Sequence, residues 1–357
     1  MNLVGMVAMA ILFFYISPAM AGTENYAALG FGRSFIQVGG MMNVVQFESA
    51  GKSADNDTSV APNVFAHWKM KNKPVSFFLG YSQQEEIQNF PNGNSVTQGV
   101  VDDLPAFGWT QSFKNSAKYR RAEGGVVIRK GNKLSISGGI FHVSAEQGTR
   151  FSMVDTLGLL PLDLDSSSSA NGIGFSFGVE VRPTEKTKLA LIFRSGAELS
   201  FDQNVKTNTM GGIFPDLNTT GFRDDVPAML AVEASRTFPT TKGTFEIQAG
   251  YVREIGGSSE DVFGAKINRD ANKFSVGGSW APNQKVRFRL GFGITDAGNS
   301  LSEIYPNLSS KTVLAGLDFG LTKNFTASID VAKIFYDPED DADQSGWTAS
   351  TGMKLSF

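Results

Sequence analysis

From Gly22 onward the chain is written in short stretches that alternate apolar and polar residues. Phe325, Ala327, Ile329 and Val331 alternate with Thr326, Ser328 and Asp330, and Val313, Ala315, Leu317, Phe319 and Leu321 alternate with Leu314, Gly316, Asp318 and Gly320. Val286, Phe288, Leu290, Phe292 and Ile294 alternate with two arginines and two glycines; Phe245, Ile247, Ala249 and Tyr251 alternate with Glu246, Gln248 and Gly250. Ile173, Phe175, Phe177, Val179 and Val181 sit opposite Gly174, Ser176, Gly178, Glu180 and Arg182, and Leu189, Leu191, Phe193, Leu199 and Phe201 sit opposite Lys188, Arg194, Glu198 and Ser200. Successive side chains of a strand point to opposite faces, so each stretch predicts a strand with one greasy and one polar face. The chain ends the same way: Trp347, Ala349, Met353, Leu355 and Phe357 on one face, Thr348, Ser350, Gly352, Lys354 and Ser356 on the other.

Alternation of this kind suits a water-soluble sandwich as well as a barrel in lipid; the connections separate the two. Six are tight: Lys71–Pro74, Lys130–Lys133, Arg182–Lys186, Pro239–Gly243, Ala281–Lys285 and Thr322–Asn324. Between them lie longer polar stretches near 83–113, 146–171, 203–225, 257–272, 297–310 and 337–346. Short turns at one end and long loops at the other are the asymmetry of transmembrane barrels. Six turns join twelve strands; a first strand within Tyr26 to Phe47 and the terminal strand bring the total to about fourteen. The even number puts both termini on the short-turn side. Trp68 and Trp280 lie on the greasy face just before a short turn, where an interfacial aromatic girdle belongs. The predicted class is all-β: a transmembrane antiparallel barrel with short periplasmic turns and long extracellular loops.

Composition narrows the function. The 357 residues hold no cysteine, so neither a disulfide framework nor thiolate chemistry is available. Glycine is frequent at 39 residues and Phe at 29, which suits strands and bends. A net charge of -3 offers no basic patch for nucleic acid. Past the N-terminus no uncharged apolar run is long enough for a membrane helix, which leaves strands to do any crossing.

The N-terminus has two readings. Leu3 to Ile16 is an apolar run broken by Pro18 and followed by Ala19-Met20-Ala21, an A-x-A-like cleavage site. Residues 1–21 then form a signal peptide and residues 22–357 the outer-membrane barrel. No Lys or Arg precedes Arg33, however, so the basic start of a signal is missing. The other reading makes residues 1–21 a remnant of an N-terminal plug.

Several stretches carry a resemblance. Ala61-Pro62-Asn63-Val64-Phe65 leads into the Lys71 turn and is followed by Phe77-Phe78-Leu79-Gly80-Tyr81. Gly174–Val179 runs into Arg182-Pro183-Thr184 and then Leu191-Ile192-Phe193-Arg194-Ser195, and Val226–Val232 precedes a short-turn hairpin. In this order and spacing they resemble the outer-membrane long-chain fatty-acid and hydrocarbon transporter family, the FadL/TodX type (OmpP1). The resemblance implies a fourteen-stranded barrel, and a plug with an Asn-Pro-Ala element where this chain has Ser17-Pro18-Ala19. It further implies passive transport of hydrophobic compounds, long-chain fatty acids first, across the bacterial outer membrane. The partners are then the hydrophobic substrate, the surrounding lipid and the barrel-assembly machinery, which would read the C-terminal strand and its Phe. No cofactor is called for. The alternative function is a general small-solute diffusion porin.

A fatty-acid conduit needs an apolar route for the tail and a cation for the carboxylate. Parity puts Arg121, Arg129, Lys188, Arg194, Arg287 and Arg289 on the lumen face, and Arg194, mid-strand with Glu198 expected on its own face, is the first candidate. Buried charges normally pair, so the other reading is that these cations pair with Glu123, Glu180, Glu198, Glu246 and Asp330 to fill a polar lumen. Apolar residues in two expected loops suggest a capture groove: Phe151, Leu157, Leu159, Leu160 and Leu162 in one, Phe107 and Trp109 in the other. The acidic run Asp337–Asp343 lacks the spacing of a calcium loop, so no metal is expected. His142 and Ser144 share a strand face, but the chain has only one other histidine, His67, and neither an orienting third group nor an oxyanion hole can be placed. An enzyme is not expected.

Overall fold

The computed structural model describes residues 25–46, 48–49, 52–53, 58–90, 109–155, 161–209, 222–223, 225–256, 259–260, 266–267, 270–297, 309–336 and 345–357. Fourteen staves form one closed antiparallel barrel. They are β1 (Phe35–Gln46), β2 (Thr58–Lys69), β3 (Val75–Phe90), β4 (Trp109–Lys130), β5 (Leu134–Asp155), β6 (Pro161–Thr184) and β7, which comes in two pieces, Thr187–Arg194 and Ser200–Thr209. Then follow β8 (Ala228–Thr240), β9 (Gly243–Ile255), β10 (Ala271–Ala281), β11 (Val286–Ala297), β12 (Ser310–Gly320), β13 (Phe325–Tyr336) and β14 (Ser345–Ser356). Two-residue strands at 222–223, 259–260 and 266–267 extend the ladder beyond β7–β10. β1 closes the barrel by pairing with β2 on one side and β14 on the other, from Phe35 opposite Ser356 to Gln46 opposite Ser345. The Phe357 amide completes the seam by donating to the Ser34 carbonyl at 3.0 Å.

All six expected short turns are present. Asn72 and Gly131 take the left-handed φ that so tight a reversal needs (60° and 62°). The outward face is a continuous apolar belt: Ile140, Ile173 and Leu290 leave 69%, 73% and 67% of their surface uncovered. In water such a belt would drive association; in hydrocarbon it is the favourable surface. Trp68 and Trp280 face outward at the short-turn rim, Trp280 stacked on Phe288 with ring centroids 5.8 Å apart. Trp347 marks the other rim, with the Lys333 ammonium 5.1 Å from its ring. The ten-residue rise from Trp347 to Phe357 is ~33 Å of strand, or roughly 23 Å at a 45° tilt, close to the height of an outer-membrane apolar band.

β4, β5 and β6 run for 22, 22 and 24 residues, about twice what a membrane crossing needs. Their outward faces change character half-way. On β6, Phe177, Phe175 and Ile173 give way to Asn171, Ser169, Ser167 and Asp165. Across β4, β5 and β6 the upper outward face holds ion pairs, Arg120 with Glu146 at 2.6 Å and Arg150 with Asp165 at 3.3 Å. The hairpin therefore stands clear of the lipid. Much of what the alternation assigned to loops at 83–113 and 146–171 is strand.

The chain enters the barrel through a short segment, Asn25 to Ser34, that lies against the inner wall and contains one turn of helix, α1 (Tyr26–Leu29). Four residues of helix have no stability of their own, so side chains hold the segment. Tyr26 stacks on Phe78 at 4.1 Å, and its hydroxyl accepts from Arg121 at 3.1 Å. Asn25 donates to Glu180 at 3.1 Å, and the Arg182 guanidinium, itself on Glu180 at 2.8 Å, sits 3.8 Å over the Phe31 ring. The buried His67 places Nδ1 2.9 Å from the Arg33 carbonyl.

Candidate functional site

The inner wall departs from simple alternation at one place. On β7, Arg194 pairs with Ser176 of β6, but Asp202 pairs with Ser169, so β7 spends one residue more than β6 between the two pairs. The extra residue falls at Ser195-Gly196, where the regular ladder stops and only an Ala197–Val226 bridge continues it. Such a bulge reverses which face each later residue occupies. Below it Leu189 and Leu191 face lipid, as parity predicts; above it Leu199 and Phe201 turn inward and are fully buried, against expectation. Glu198 correspondingly leaves the face of Arg194 and is exposed.

The inward turn builds an apolar patch. Ala197, Leu199 and Phe201 join Phe141, Val143 and Ala145 of β5 and Ala170 of β6, with Tyr119 of β4 and Val226 packed at its edges. Phe141 lies flat on the wall over Gly174, a position where a Cβ would come within 2.2 Å of the ring. At the outer edge of the patch, Gln147 donates from Nε2 to the Tyr119 hydroxyl at 2.8 Å. At its lower edge stands Arg194, only 6% exposed, with Met229 opposite it on β8 and Ile192, Ala231 and Val252 in the cluster just below. Beyond Met229, Glu254 and Lys273 form a buried ion pair at 2.6 Å. Sequence reading missed that pair because both residues flank a stretch it treated as loop.

Three of the other expected lumen cations are neutralised by carboxylates. Arg121 pairs with Glu123, Lys188 with Glu246 at 3.0 Å, and Arg289 with Asp318 and Asp330 at 2.8 and 2.7 Å. A cavity of about 190 Å³ separates α1 from the opposite wall, lined among others by Asn25, Glu180, Lys188, Glu233 and Glu246. Of the expected loop groove, Leu157, Leu159, Leu160 and Phe107 lie outside the described residues. Phe151, Leu162 and Trp109 are strand residues: Phe151 pairs with Phe113 and Leu164, Leu162 with Met153, and Trp109 with Asp155. Their side chains are outside the described part. The acidic run 337–343 is as well, and among the described residues no three His, Asp or Glu side chains gather as metal ligands. His142 faces outward and His67 inward on different strands, so the two do not form one centre.

No protein-family model and no curated protein matches the sequence. Solved structures do match. A Pseudomonas aeruginosa FadL homologue superposes with a TM-score of 0.70 at 12% identity, over 98% of this chain and 96% of that one. The Pseudomonas putida toluene transporter TodX gives a TM-score of 0.70 at 14% identity over 96% and 94%. The Ralstonia pickettii toluene transporter TbuX gives 0.64 at 16% identity over 96% and 94%. At these identities the likeness establishes the fold. This chain has the FadL/TodX-type barrel. Within that barrel, the residues that line the lumen are its own.

Proposed function

We propose that the protein lies in the bacterial outer membrane and lets hydrophobic compounds cross it by passive diffusion. The observation that carries this reading is the inner-wall patch of Phe141, Val143, Ala145, Ala170, Ala197, Leu199 and Phe201. A diffusion porin has a polar, water-filled interior; here a strand is bulged so that large apolar side chains face inward. The segment Asn25–Ser34, held inside the barrel with α1 against β4–β6, also speaks against an open porin. Gram-negative cells producing the full chain are expected to take up labelled toluene several-fold faster than cells without it. Vesicles containing the protein should not swell in sugars. Sugar-driven swelling without toluene uptake would instead make it a porin.

Within this class the lumen supports neutral compounds best, because Arg121, Lys188 and Arg289 are already matched by carboxylates. A second reading, long-chain fatty acids, rests on Arg194, a cation set between apolar clusters where a carboxylate could meet it. Arg194→Met separates the two. If fatty acids are the cargo, oleate uptake falls at least about fivefold while toluene uptake stays, since a charge-assisted hydrogen bond contributes ~1.5–3 kcal/mol. Equal effects on both solutes would remove the fatty-acid reading.

A further inference from the structure

Gln147 is the polar group in the patch that the passage of plain hydrocarbons does not explain. It lies on the inner face of β5, is 5% exposed, and follows Ala145 along the row that leads up from Phe141. Its Nε2 donates to the Tyr119 hydroxyl, while its Oε1 is buried and accepts no hydrogen bond from any described group. The backbone facing it on β6 belongs to Ser168, itself buried. A buried amide oxygen without a donor is costly by ~1–3 kcal/mol, and that cost disappears when a ligand supplies the donor. The height fits a recognition point: outward from Gln147's neighbours, the Arg120–Glu146 pair already stands in the polar zone above the lipid belt. A solute arriving from outside meets Gln147 before it meets the apolar patch.

We infer that Gln147, held by Tyr119, reads a hydroxyl group at the mouth of the apolar route, so that the preferred cargo is a neutral hydrophobic molecule bearing one hydroxyl donor, a phenol or a fatty alcohol. This rests on the proposed passage of hydrophobic compounds and names the substrate class within it. The hydroxyl donates to Oε1 while the apolar body lies over Ala145, Ala170 and Phe201. An ionised carboxylate, which can only accept, is disfavoured at the same point.

The test is calorimetric binding to the purified full-length protein in detergent, with five probes: 4-ethylphenol, 4-ethylanisole, ethylbenzene, 1-octanol and n-octane. The first three share an apolar body and differ in having a donor, an acceptor alone, or neither. The expected result is 4-ethylphenol binding at least about fivefold more tightly than both 4-ethylanisole and ethylbenzene. Gln147→Leu and the near-isosteric Gln147→Met should both erase that margin and leave ethylbenzene affinity within about twofold. Octanol identifies the source of the hydroxyl: sharing the margin over its alkane supports a fatty alcohol, and lacking it restricts the site to phenols. A preference for 4-ethylanisole, or no margin in the wild type while ethylbenzene still binds, overturns the inference and leaves the proposed function standing. Failure to bind any of the five overturns the proposed function itself.

Discussion

Tyr26→Ala is expected to convert the barrel into a leaky pore. The Asn25–Ser34 segment contains a single turn of helix, and its firmest anchor is the Tyr26 ring stacked on Phe78. Phe78 in turn lies on glycines: a Cβ at Gly125 or Gly139 would fall within 2.5 or 2.8 Å of its ring. Removing a buried aromatic costs about 3–5 kcal/mol. Among the other anchors, the Asn25–Glu180 hydrogen bond, the His67 and Lys69 side-chain contacts to the Arg33 and Gly32 carbonyls, and the hydrogen bond from the Lys69 amide to the Ser34 hydroxyl each contribute about 1 kcal/mol. A loss of that size shifts the docked fraction by a factor on the order of 10² to 10³. Sugars should then swell vesicles containing the variant and not those containing the wild type, and single-channel conductance should rise. The chain has no cysteine, so a cross-link can be introduced cleanly. A Cβ at Gly178 would lie 3.6 Å from that of Ala27, within disulfide range. Ala27→Cys with Gly178→Cys in the Tyr26→Ala background should reseal the pore when oxidised and leak again when reduced. Unchanged conductance in the single variant would show that the segment does not close the lumen.

The strands within lipid were legible because the two solvents, hydrocarbon outside and a polar lumen inside, write a period of two into the sequence. Trp68 and Trp280 were placed for the same reason. Legibility ended where either solvent changed. Above the membrane the outward face of β4–β6 is wet, so Glu146 and Asp165 read as loop although their backbones continue the ladder. At Ser195-Gly196 the period itself slips by one, and Leu199, Phe201 and Glu198 all change sides. Leu199 and Phe201 continue the odd-numbered register of Leu189 and Leu191, so the apolar pattern gives no sign of the slip. The local signs are only a glycine at 196 and, across the bridge, Pro227, which has no N–H to offer a ladder. The apolar site exists because of that slip, which is why parity found the cation at its lower edge, Arg194, and not the patch above. Gln147 was invisible for a different reason, since its role depends on Tyr119 of another strand.

Gly174→Val is expected to obstruct the hydrophobic route without preventing barrel formation. Phe141 and Gly174 face each other across β5 and β6, and the ring can lie against the wall only because position 174 has no side chain. A Cβ there would stand 2.2 Å from the Phe141 Cζ and 2.7 Å from the Ser195 hydroxyl. Valine is favoured in strands, so the backbone does not resist the change; the conflict is between two inward side chains, an overpacking of ~1–3 kcal/mol. The ring's escape is into the lumen, over the patch formed by Val143, Ala170 and Leu199. Toluene uptake should fall about tenfold, while the variant keeps the wild-type heat-modifiable gel mobility of a folded barrel. Phe141→Ala removes the displaced ring and should restore uptake in the double variant, whereas Phe141→Ala alone leaves uptake at or above the wild-type level. If the double variant stays as impaired as Gly174→Val, the loss comes from distortion of β6 and not from the ring, and the patch is not on the path.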